Sequence, residues 1–217
     1  MNLKELALKY GTDKEGEHFY CQHYENHFGH LRNNPISLLE IGVGGYEDAN
    51  KGGESLRMWK EYFPKAKIYS IDIFDKSGLQ EDRIKIFKGS QVDTVFLDSV
   101  MKNIGHPDII IDDGSHINAH IIMTFKHLFQ YLKDGGVYVV EDLQTSYWKD
   151  YGGNKFDLDN KNNAMAYFRS LADGLNWVER KGYEPDYFDL NITSIHFYHN
   201  MVFIYKGKNN EPSNVIK

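Results

Sequence analysis

Two short apolar stretches, each ending in acidic residues, constrain the fold of this chain more than any other part of its sequence. The first covers residues 108–113 and continues into Gly114-Ser115-His116, and the second covers residues 135–142. Continuous apolar runs rich in β-branched residues predict strands of a parallel sheet that is covered on both faces. Open α/β sheets bind their ligands at the carboxyl ends of such strands, so acids at these positions indicate a site.

The acids at these two strand ends predict a metal site if the strands are neighbours. Asp113, Glu141 and Asp142 would then converge, with His116 one turn away. Three carboxylates that close cannot all remain ionised without a cation between them. Ligation by oxygen alone suits Mg²⁺, Mn²⁺ or Ca²⁺ rather than zinc. A single strand-end acid more often caps a helix or faces solvent, but three acids and a histidine together favour the metal.

Composition and charge exclude several classes of protein. The formal net charge of −6 argues against non-specific binding to nucleic acid, which needs a basic surface. The single cysteine, Cys21, excludes a disulfide framework and a thiolate metal cluster. The first five residues are too polar for a signal peptide, and no apolar stretch approaches the length of a membrane span. We therefore expect a soluble, cytoplasmic protein.

A glycine-rich turn follows the first predicted strand, residues 36–41. Gly42-Val43-Gly44-Gly45 would allow a ligand to approach the backbone closely, but Glu47 stands where a dinucleotide-binding fingerprint has its last glycine. The loop also continues to Gly53 before the next helix, so strand, glycines and helix are not expected to abut. Since a pyrophosphate needs that arrangement, the pattern argues against NAD.

Further helices and strands are predicted in alternation along the chain. The predicted helices cover residues 2–9, 18–31, 54–62, 92–103 and 164–172, with one more that His116 opens and Ser115 caps. The remaining predicted strands cover residues 67–72 and 83–89, and a hairpin is predicted at 192–198 and 201–206. Residues 143–161 are expected to form an ordered loop or lid, and the tail from residue 207 is expected to fray.

This order predicts an α/β fold with a mostly parallel, doubly wound sheet and a terminal antiparallel hairpin strand. The expected domains are an N-terminal helical cap (1–35), a catalytic domain (36–207) and a polar tail (208–217). A closing antiparallel strand is typical of the Rossmann-like class I methyltransferase fold, which binds S-adenosylmethionine. Asp72, at the end of the second strand, is placed to bind ribose hydroxyls, and Gln91 is placed to reach an adenine edge. A solvated acid and a polar loop residue are the alternatives.

Four motifs support a more specific statement, at residues 39–45, 53–59, 112–116 and 141–145. They resemble the metal-dependent sugar O-methyltransferases of macrolide biosynthesis, such as the mycinamicin and macrocin deoxysugar methyltransferases. The resemblance covers residues 5–206 and includes Gly11-Thr12-Asp13-Lys14. It implies that Asp113, Glu141 and Asp142 hold Mg²⁺ or Mn²⁺ and that His116 is the general base. The residues that it implies for S-adenosylmethionine are Glu40, Gly42, Gly44 and Asp72, with Gln91 and Asp112 as weaker assignments.

The implied reaction is methyl transfer to a sugar hydroxyl of a nucleotide-linked sugar, a polysaccharide or a natural-product glycoside. We expect the chain to lack an additional N-terminal domain that some of these enzymes carry, so neither their macrolide substrate nor their quaternary arrangement is carried over to it. A homo-oligomer, dimer or tetramer, is expected, with neither nucleic acid nor membrane as a partner. A catechol-type methyltransferase and a non-catalytic S-adenosylmethionine-binding subunit are the alternatives.

Two roles are left open at the level of side chains. His116 is interpreted as the base, but it would also suit a fourth metal ligand or a structural residue at the start of a helix. Tyr147, Trp148 and Tyr151 would form a stacking wall for a sugar, or they would pack the loop onto the body of the protein.

Overall fold

The computed structural model describes residues 1–213, and the chain forms two compact units. The first unit covers residues 1–115, and the second begins at His116. The predicted domain boundaries at residues 35 and 207 stay a prediction. Residues 214–217 of the predicted tail lie outside the described residues.

The first unit contains four parallel strands in the order β3-β2-β1-β4, with four helices. In chain order these elements are α1 (Leu3–Tyr10), α2 (Cys21–Phe28), β1 (Ser37–Ile41), α3 (Glu54–Tyr62), β2 (Lys67–Asp72), β3 (Ile84–Lys88), α4 (Thr94–Ile104) and β4 (Ile109–Asp112). All four strands predicted here are therefore confirmed. Because parallel strands share one direction, the residues that follow β1, β2 and β4 emerge at one edge of this sheet.

Burial of apolar side chains explains why these segments form strands and helices. Every residue of β4 is buried, as the continuous apolar run predicts. The helical part of the core is aromatic: Tyr24 and Phe28 of α2 pack against Trp59 of α3, with ring centroids 4.9 and 6.2 Å apart. The helix predicted over residues 18–31 is shorter in the structure, where α2 covers Cys21–Phe28, and the N-terminal helices form part of the first unit.

Residues 116–213 of the second unit form three α-helices and three strands, the strands in the order β5-β7-β6. Its elements are α5 (Asn118–Leu128), β5 (Val137–Val140), α6 (Ala164–Ser170), α7 (Tyr187–Asn191), β6 (Ile192–Tyr198) and β7 (Met201–Lys206). β7 is antiparallel to both of its neighbours, which confirms the predicted hairpin. The short helix α7 was not predicted. No helix within residues 1–213 is long and apolar enough to cross a membrane.

The core of the second unit is built around Phe125 of α5. Its ring lies 5.1 Å from Tyr138 of β5 and 5.2 Å from Phe168 of α6, both in edge-to-face contact. Such pairs add to the free energy gained from burial of the rings themselves. The helix α5 thereby packs against both β5 and α6. His116 lies just before the first residue of this helix.

The predicted fraying of the tail is wrong for its described part. The Asn209 side chain donates to the carbonyls of Gly174 and Asp189 at 3.2 and 2.8 Å. The backbone carbonyl of Asn209 accepts a hydrogen bond from the Trp177 indole at 3.1 Å. The Ser213 hydroxyl donates to Glu179 at 2.6 Å. Polar composition suggested a free tail, but these side-chain bonds tie it to the second unit.

Candidate active site

The turn after β1 brings a glycine against the end of β4 within the first unit. Gly42 has φ +98°, and a Cβ atom on it would lie 2.2 Å from the backbone oxygen of Asp113. Any side chain there is therefore excluded twice, by its conformation and by lack of space. The next amide, Val43 N, donates to the carboxylate of Asp72 at 2.9 Å. Two predicted cofactor-site residues are thereby brought close together, because the carboxylate of Asp72 at the end of β2 binds the amide of the residue after Gly42.

The expectation that strand, glycines and helix do not abut is wrong. Gly53 N donates to Val43 O at 2.7 Å, and Gly53 is the N-cap residue of α3 with φ +79°. The residues between them form a closed excursion, so α3 begins directly beside the end of β1. We call residues 42–53 the glycine loop. Sequence length suggested separation because it does not reveal that the two ends of the loop meet.

The glycine loop forms one wall of a cavity of ≈ 270 Å³ in the first unit. The start of α3 and the segment after α1 complete the lining, which comprises Gly11, Thr12, Asp13, Gly42, Val43, Gly44, Gly45, Glu54, Ser55 and Asp113. Residues 11–13 were part of the motifs that carry the resemblance, but no role was assigned to them. The structure adds them to the candidate site.

Asp112 and Gln91 form a buried pair beside this cavity wall. The Gln91 amide nitrogen lies 3.2 Å from the Asp112 carboxylate, and its amide oxygen accepts from the backbone N–H of Ser115 at 2.8 Å. Both ends of the Gln91 amide are therefore engaged by the protein. Contact of Gln91 with an adenine stays a prediction, and its observed contacts fix the chain after β4.

Lys14 is a site residue that sequence reasoning missed. Its side chain is fully buried, and its ammonium lies 2.7 Å from Asp113 Oδ2 and 3.2 Å from Glu40 Oε1. A buried cation is costly unless it is paired, and here two predicted site carboxylates pair with it. The only available signal was its place in the Gly11-Thr12-Asp13-Lys14 motif.

The ionisation of Glu40 depends on this pair. Burial raises the pKa of Glu40 from 4.5 to about 7, while the nearby ammonium of Lys14 opposes that rise. Ser55 of α3 also lowers the pKa by donating a hydrogen bond to the carboxylate at 3.1 Å. Glu40 is therefore a titratable group inside the first unit, linked to the start of α3.

In the second unit, His116 and Asp142 form the core of the candidate site. The His116 Nε2 atom lies 3.7 Å from Asp142 Oδ2, and the two side chains are 28% and 15% exposed. Both residues have left-handed backbones, with φ of 56° and 53°. Such conformations are uncommon outside glycine and cluster at functional sites.

The prediction that Ser115 caps the helix opened by His116 is wrong. α5 begins at Asn118, and the residue before it, Ile117, has no side-chain cap. Ser115 N is instead held by Gln91, and His116 takes a left-handed turn before the helix. His116 therefore lies before the first residue of α5 and does not share a helix face with His120, which lies within it. Ile117, which also precedes the helix, is only half-buried.

The loop after Asp142 is held by buried amides, another feature that was missed. We call residues 143–163 the distal loop. The Asn118 side chain is 1% exposed, and it donates to the carbonyls of Thr145 and Tyr151 at 3.1 and 2.9 Å. Its oxygen accepts from Ala164 N at 2.7 Å. These bonds confirm the predicted ordered loop and tie it to the helix that follows His116.

The aromatic residues of the distal loop are partly accessible. Tyr147 is 38% exposed and Trp148 is 49% exposed, while the rings of Trp148 and Tyr151 lie 5.9 Å apart. Packing alone would have buried these rings more fully. The stacking wall stays a prediction, and this exposure is compatible with it.

The predicted metal ligands fit a hard cation by their chemistry. All three are carboxylates, and Asp113 and Asp142 retain 24% and 15% side-chain exposure. Glu141 is 2% exposed at the end of β5, where an ionised carboxylate requires a partner of opposite charge or hydrogen-bond donors. An all-oxygen set of this kind suits Mg²⁺ or Mn²⁺.

Comparison with known proteins was made by family model, by sequence and by structure. No protein-family model matches the chain. The mycinamicin VI 2''-O-methyltransferase of Micromonospora griseorubida is 44% identical over 214 residues, which cover 97% of this chain and 54% of that protein. A tetracenomycin rhamnosyl 2'-O-methyltransferase of Streptomyces olivaceus is 44% identical over 210 residues, covering 95% of this chain and 55% of that protein.

A solved structure extends the match to three dimensions. The methyltransferase MycE of mycinamycin biosynthesis, in complex with Mg, S-adenosylhomocysteine (SAH) and mycinamycin VI, has a TM-score of 0.94 at 43% identity. The match covers 98% of this chain and 55% of that one. The mixed α/β methyltransferase fold is thereby confirmed.

The same matches confirm the resemblance to metal-dependent sugar O-methyltransferases that the sequence motifs predicted. The chain spans about half the length of the curated relatives it matches. The aligned part covers nearly all of this chain.

Proposed function

We propose that this chain transfers a methyl group from S-adenosylmethionine to a sugar hydroxyl, with the help of Mg²⁺. The observation that carries this proposal is the match to MycE, whose structure contains Mg, SAH and mycinamycin VI. The chain also keeps the chemistry that such a reaction requires. It has a glycine-lined cavity, three strand-end carboxylates and an accessible histidine.

The cofactor is assigned to the first unit. Glu40, Gly42, Gly44 and Asp72 are proposed to line its site, with Gln91 and Asp112 as weaker assignments to the same site. In support of this, Gly42, Val43 and Gly44 line the cavity, and the carboxylate of Asp72 binds the amide of Val43 at 2.9 Å. The start of α3 also lines that cavity, and a helix N-terminus favours a negatively charged group such as the cofactor carboxylate.

The metal is assigned to Asp113, Glu141 and Asp142, and the base to His116. A bound Mg²⁺ would supply Lewis-acid stabilisation of an alkoxide and would orient two neighbouring hydroxyls. His116 Nε2 would accept the proton of the attacking hydroxyl. The oxygen would then form a bond to the methyl carbon, and the carbon–sulfur electron pair would remain on sulfur. Asp142, 3.7 Å from Nε2, would stabilise the protonated ring.

The activity test uses the purified chain with S-adenosylmethionine, Mg²⁺ and three kinds of acceptor: nucleotide sugars, a glycosylated natural product and a catechol. Mass spectrometry measures the added methyl group and the SAH released. Methylation of a sugar, abolished by chelator and restored by Mg²⁺ or Mn²⁺, is the expected result. Methylation of the catechol alone would favour the catechol-type reading. Binding of SAH without any turnover would favour a non-catalytic subunit. Full activity in excess chelator would contradict a role for the metal in the reaction.

His116→Ala separates the three roles considered for this histidine. As a base, its loss should lower kcat by roughly 10²–10⁴-fold and leave Mg²⁺ and SAH affinity nearly unchanged. The rise of kcat with pH that a general base produces should also disappear. A metal ligand would instead lower Mg²⁺ affinity together with kcat, and a structural residue would lower the melting temperature while turnover survives.

The acceptor sugar, a homo-oligomeric state and a cytoplasmic location stay proposals. In support of a sugar acceptor, the relatives are named for methylation of mycinamicin and of tetracenomycin rhamnosides. Those names leave nucleotide sugars and polysaccharides as further acceptors to be tested on this chain.

A further inference from the structure

The glycine loop is exposed over most of its length, yet it has a defined shape. Residues 46–51 are all exposed, so no buried side chain of theirs holds the loop in place. The ends of the loop meet tightly: a Cβ atom on Gly45 would lie 2.3 Å from Lys51 O, and one on Gly52 would lie 2.5 Å from Gly44 O. Something other than apolar packing must therefore stabilise its centre.

That support comes from Lys76, which follows β2. Its side chain is 1% exposed, and its ammonium donates to Asp48 O at 2.7 Å and to Lys51 O at 2.9 Å. Within residues 1–213, no carboxylate pairs with it. Burial of an ammonium group costs several kcal/mol. The buried position of Lys76 is therefore not explained by a gain in folding stability alone. An apolar side chain would fill the space at lower cost but would leave both carbonyls unsatisfied.

The contacts of Lys76 lead to the cofactor site in two steps. Lys51 O, which accepts from Lys76, lies directly against Gly45, the residue after Gly44. Lys76 itself belongs to the segment that begins at Asp72, whose carboxylate holds Val43 N. The two parts of the proposed cofactor site, the glycine turn and the acid after β2, are therefore joined at two points.

We propose that Lys76 is a positioning residue for S-adenosylmethionine: its buried ammonium fixes the glycine loop in the shape that binds the cofactor. This inference rests on the proposed function, because it assigns the cofactor to the glycine loop. Lys76 touches backbone carbonyls and acts on the ligand through them. The loop is thus organised around an internal cation that the chain supplies itself.

The test compares Lys76→Met with Lys51→Met by calorimetric titration of SAH. Lys51 is the matched control, because it lies in the same loop with its side chain 75% exposed and only a 3.7 Å ion pair to Asp48. Lys76→Met should weaken SAH binding by about tenfold or more, since hydrogen bonds to charged groups are the stronger class. Lys51→Met should stay within twofold of wild type. Lys76→Arg should recover part of the affinity, because it keeps the charge and the N–H donors.

Hydrogen exchange supplies a second readout that does not depend on the ligand. The amides of Lys51 and Gly53, which donate to Asp48 O and Val43 O, should exchange faster in Lys76→Met than in wild type. A folded Lys76→Met protein that binds SAH within twofold of wild type would overturn the proposal, as would Lys76→Arg binding no better than Lys76→Met. If Lys76→Met does not fold, wild-type exchange decides: unprotected Lys51 and Gly53 amides would contradict an ordered loop. A wild type that fails to bind SAH overturns the proposed function instead, while the exchange comparison still tests the contact.

Discussion

The glycine loop of the first unit and the distal loop of the second unit are both irregular segments, but they are held by different chemistry. Buried ammonium groups hold the first region. The ammonium of Lys76 binds carbonyls of the glycine loop itself, and the ammonium of Lys14 binds the carboxylates of Glu40 and Asp113. Neutral amides hold the second region: Asn118 and Asn163 bind the backbone of the distal loop. The buried side chains that hold the first region are therefore charged and those named in the second are neutral, whereas the charged contacts of Arg169 with Leu158 O and Asp159 of the distal loop are exposed.

The difference has consequences for stability. A buried charge that loses its partner costs more than a buried amide, because its desolvation is not recovered. A charged group also titrates, so the first region should respond to pH where the second does not. The three predictions below test this contrast, beginning with the largest expected effect.

Lys14→Met should give the largest loss of stability. Removal of the ammonium leaves Glu40 and Asp113 without their shared partner, and breaking a buried pair costs about 3–5 kcal/mol. Chemical denaturation at pH 8 in the presence of chelator measures the free energy of unfolding. Lys9→Met is the control, because the ion pair of Lys9 with Glu61 is exposed, and its loss of stability should be much smaller than that of Lys14→Met. Equal losses of unfolding free energy in the two variants would contradict the view that the buried ion pair contributes more to stability than the exposed one.

Glu40→Gln should remove a pH-dependent part of the stability. The pKa of Glu40 is about 7 in the folded protein and 4.5 when exposed, so the folded state binds the proton more tightly. Its contribution is therefore fully present below pH 4.5 and is lost as the pH rises through 7. The rise of the pKa from 4.5 to about 7, which already includes the opposing effect of Lys14, corresponds to a loss of about 3 kcal/mol.

The measurement compares wild type with Glu40→Gln at several pH values between 5 and 8, again with chelator. All other groups titrate in both proteins, so the difference between their unfolding free energies isolates Glu40. That difference should shift in favour of the variant as the pH rises. A difference that stays constant across this range would show that Glu40 remains ionised throughout, held by Lys14.

Sequence patterns predicted those parts of the molecule that depend on local or periodic signals. The apolar runs of β4 and β5 predicted buried strands, and the chain direction of parallel strands predicted which acids lie at the site edge. Side chains whose partners are backbone atoms far along the chain escaped prediction. In the sequence, Lys76 resembles an ordinary surface lysine, because none of its neighbours along the chain indicates that it binds the carbonyls of Asp48 and Lys51.

The start of α5 shows how a local signal can be outcompeted. Ser115 has the chemistry of an N-cap, and its position before an apolar stripe favoured that interpretation. In the structure its N–H is taken by Gln91, a residue 24 positions earlier, and the chain turns through a left-handed His116 before the helix begins. A long-range bond therefore decided the position of the candidate base, and a pattern of neighbouring residues does not contain it.

Asn118→Ala tests the neutral side of the comparison and should have the smallest effect of the three. The substitution leaves the carbonyls of Thr145 and Tyr151 and the N–H of Ala164 without this partner. Unsatisfied buried polar groups cost about 1–3 kcal/mol, and partial entry of water lowers the total to about 2 kcal/mol here. The loss should be the same at pH 5 and pH 8, because an amide does not titrate.

Asn162→Ala is the matched control for this change, since Asn162 lies beside Asn163 at the end of the distal loop but is exposed. It should change the unfolding free energy by less than about 0.5 kcal/mol. Hydrogen exchange should locate the effect of Asn118→Ala in residues 145–153 and at the start of α6, with the glycine loop unchanged. A pH-dependent loss, or one that spreads to the glycine loop, would contradict the view that each region is held by its own buried groups.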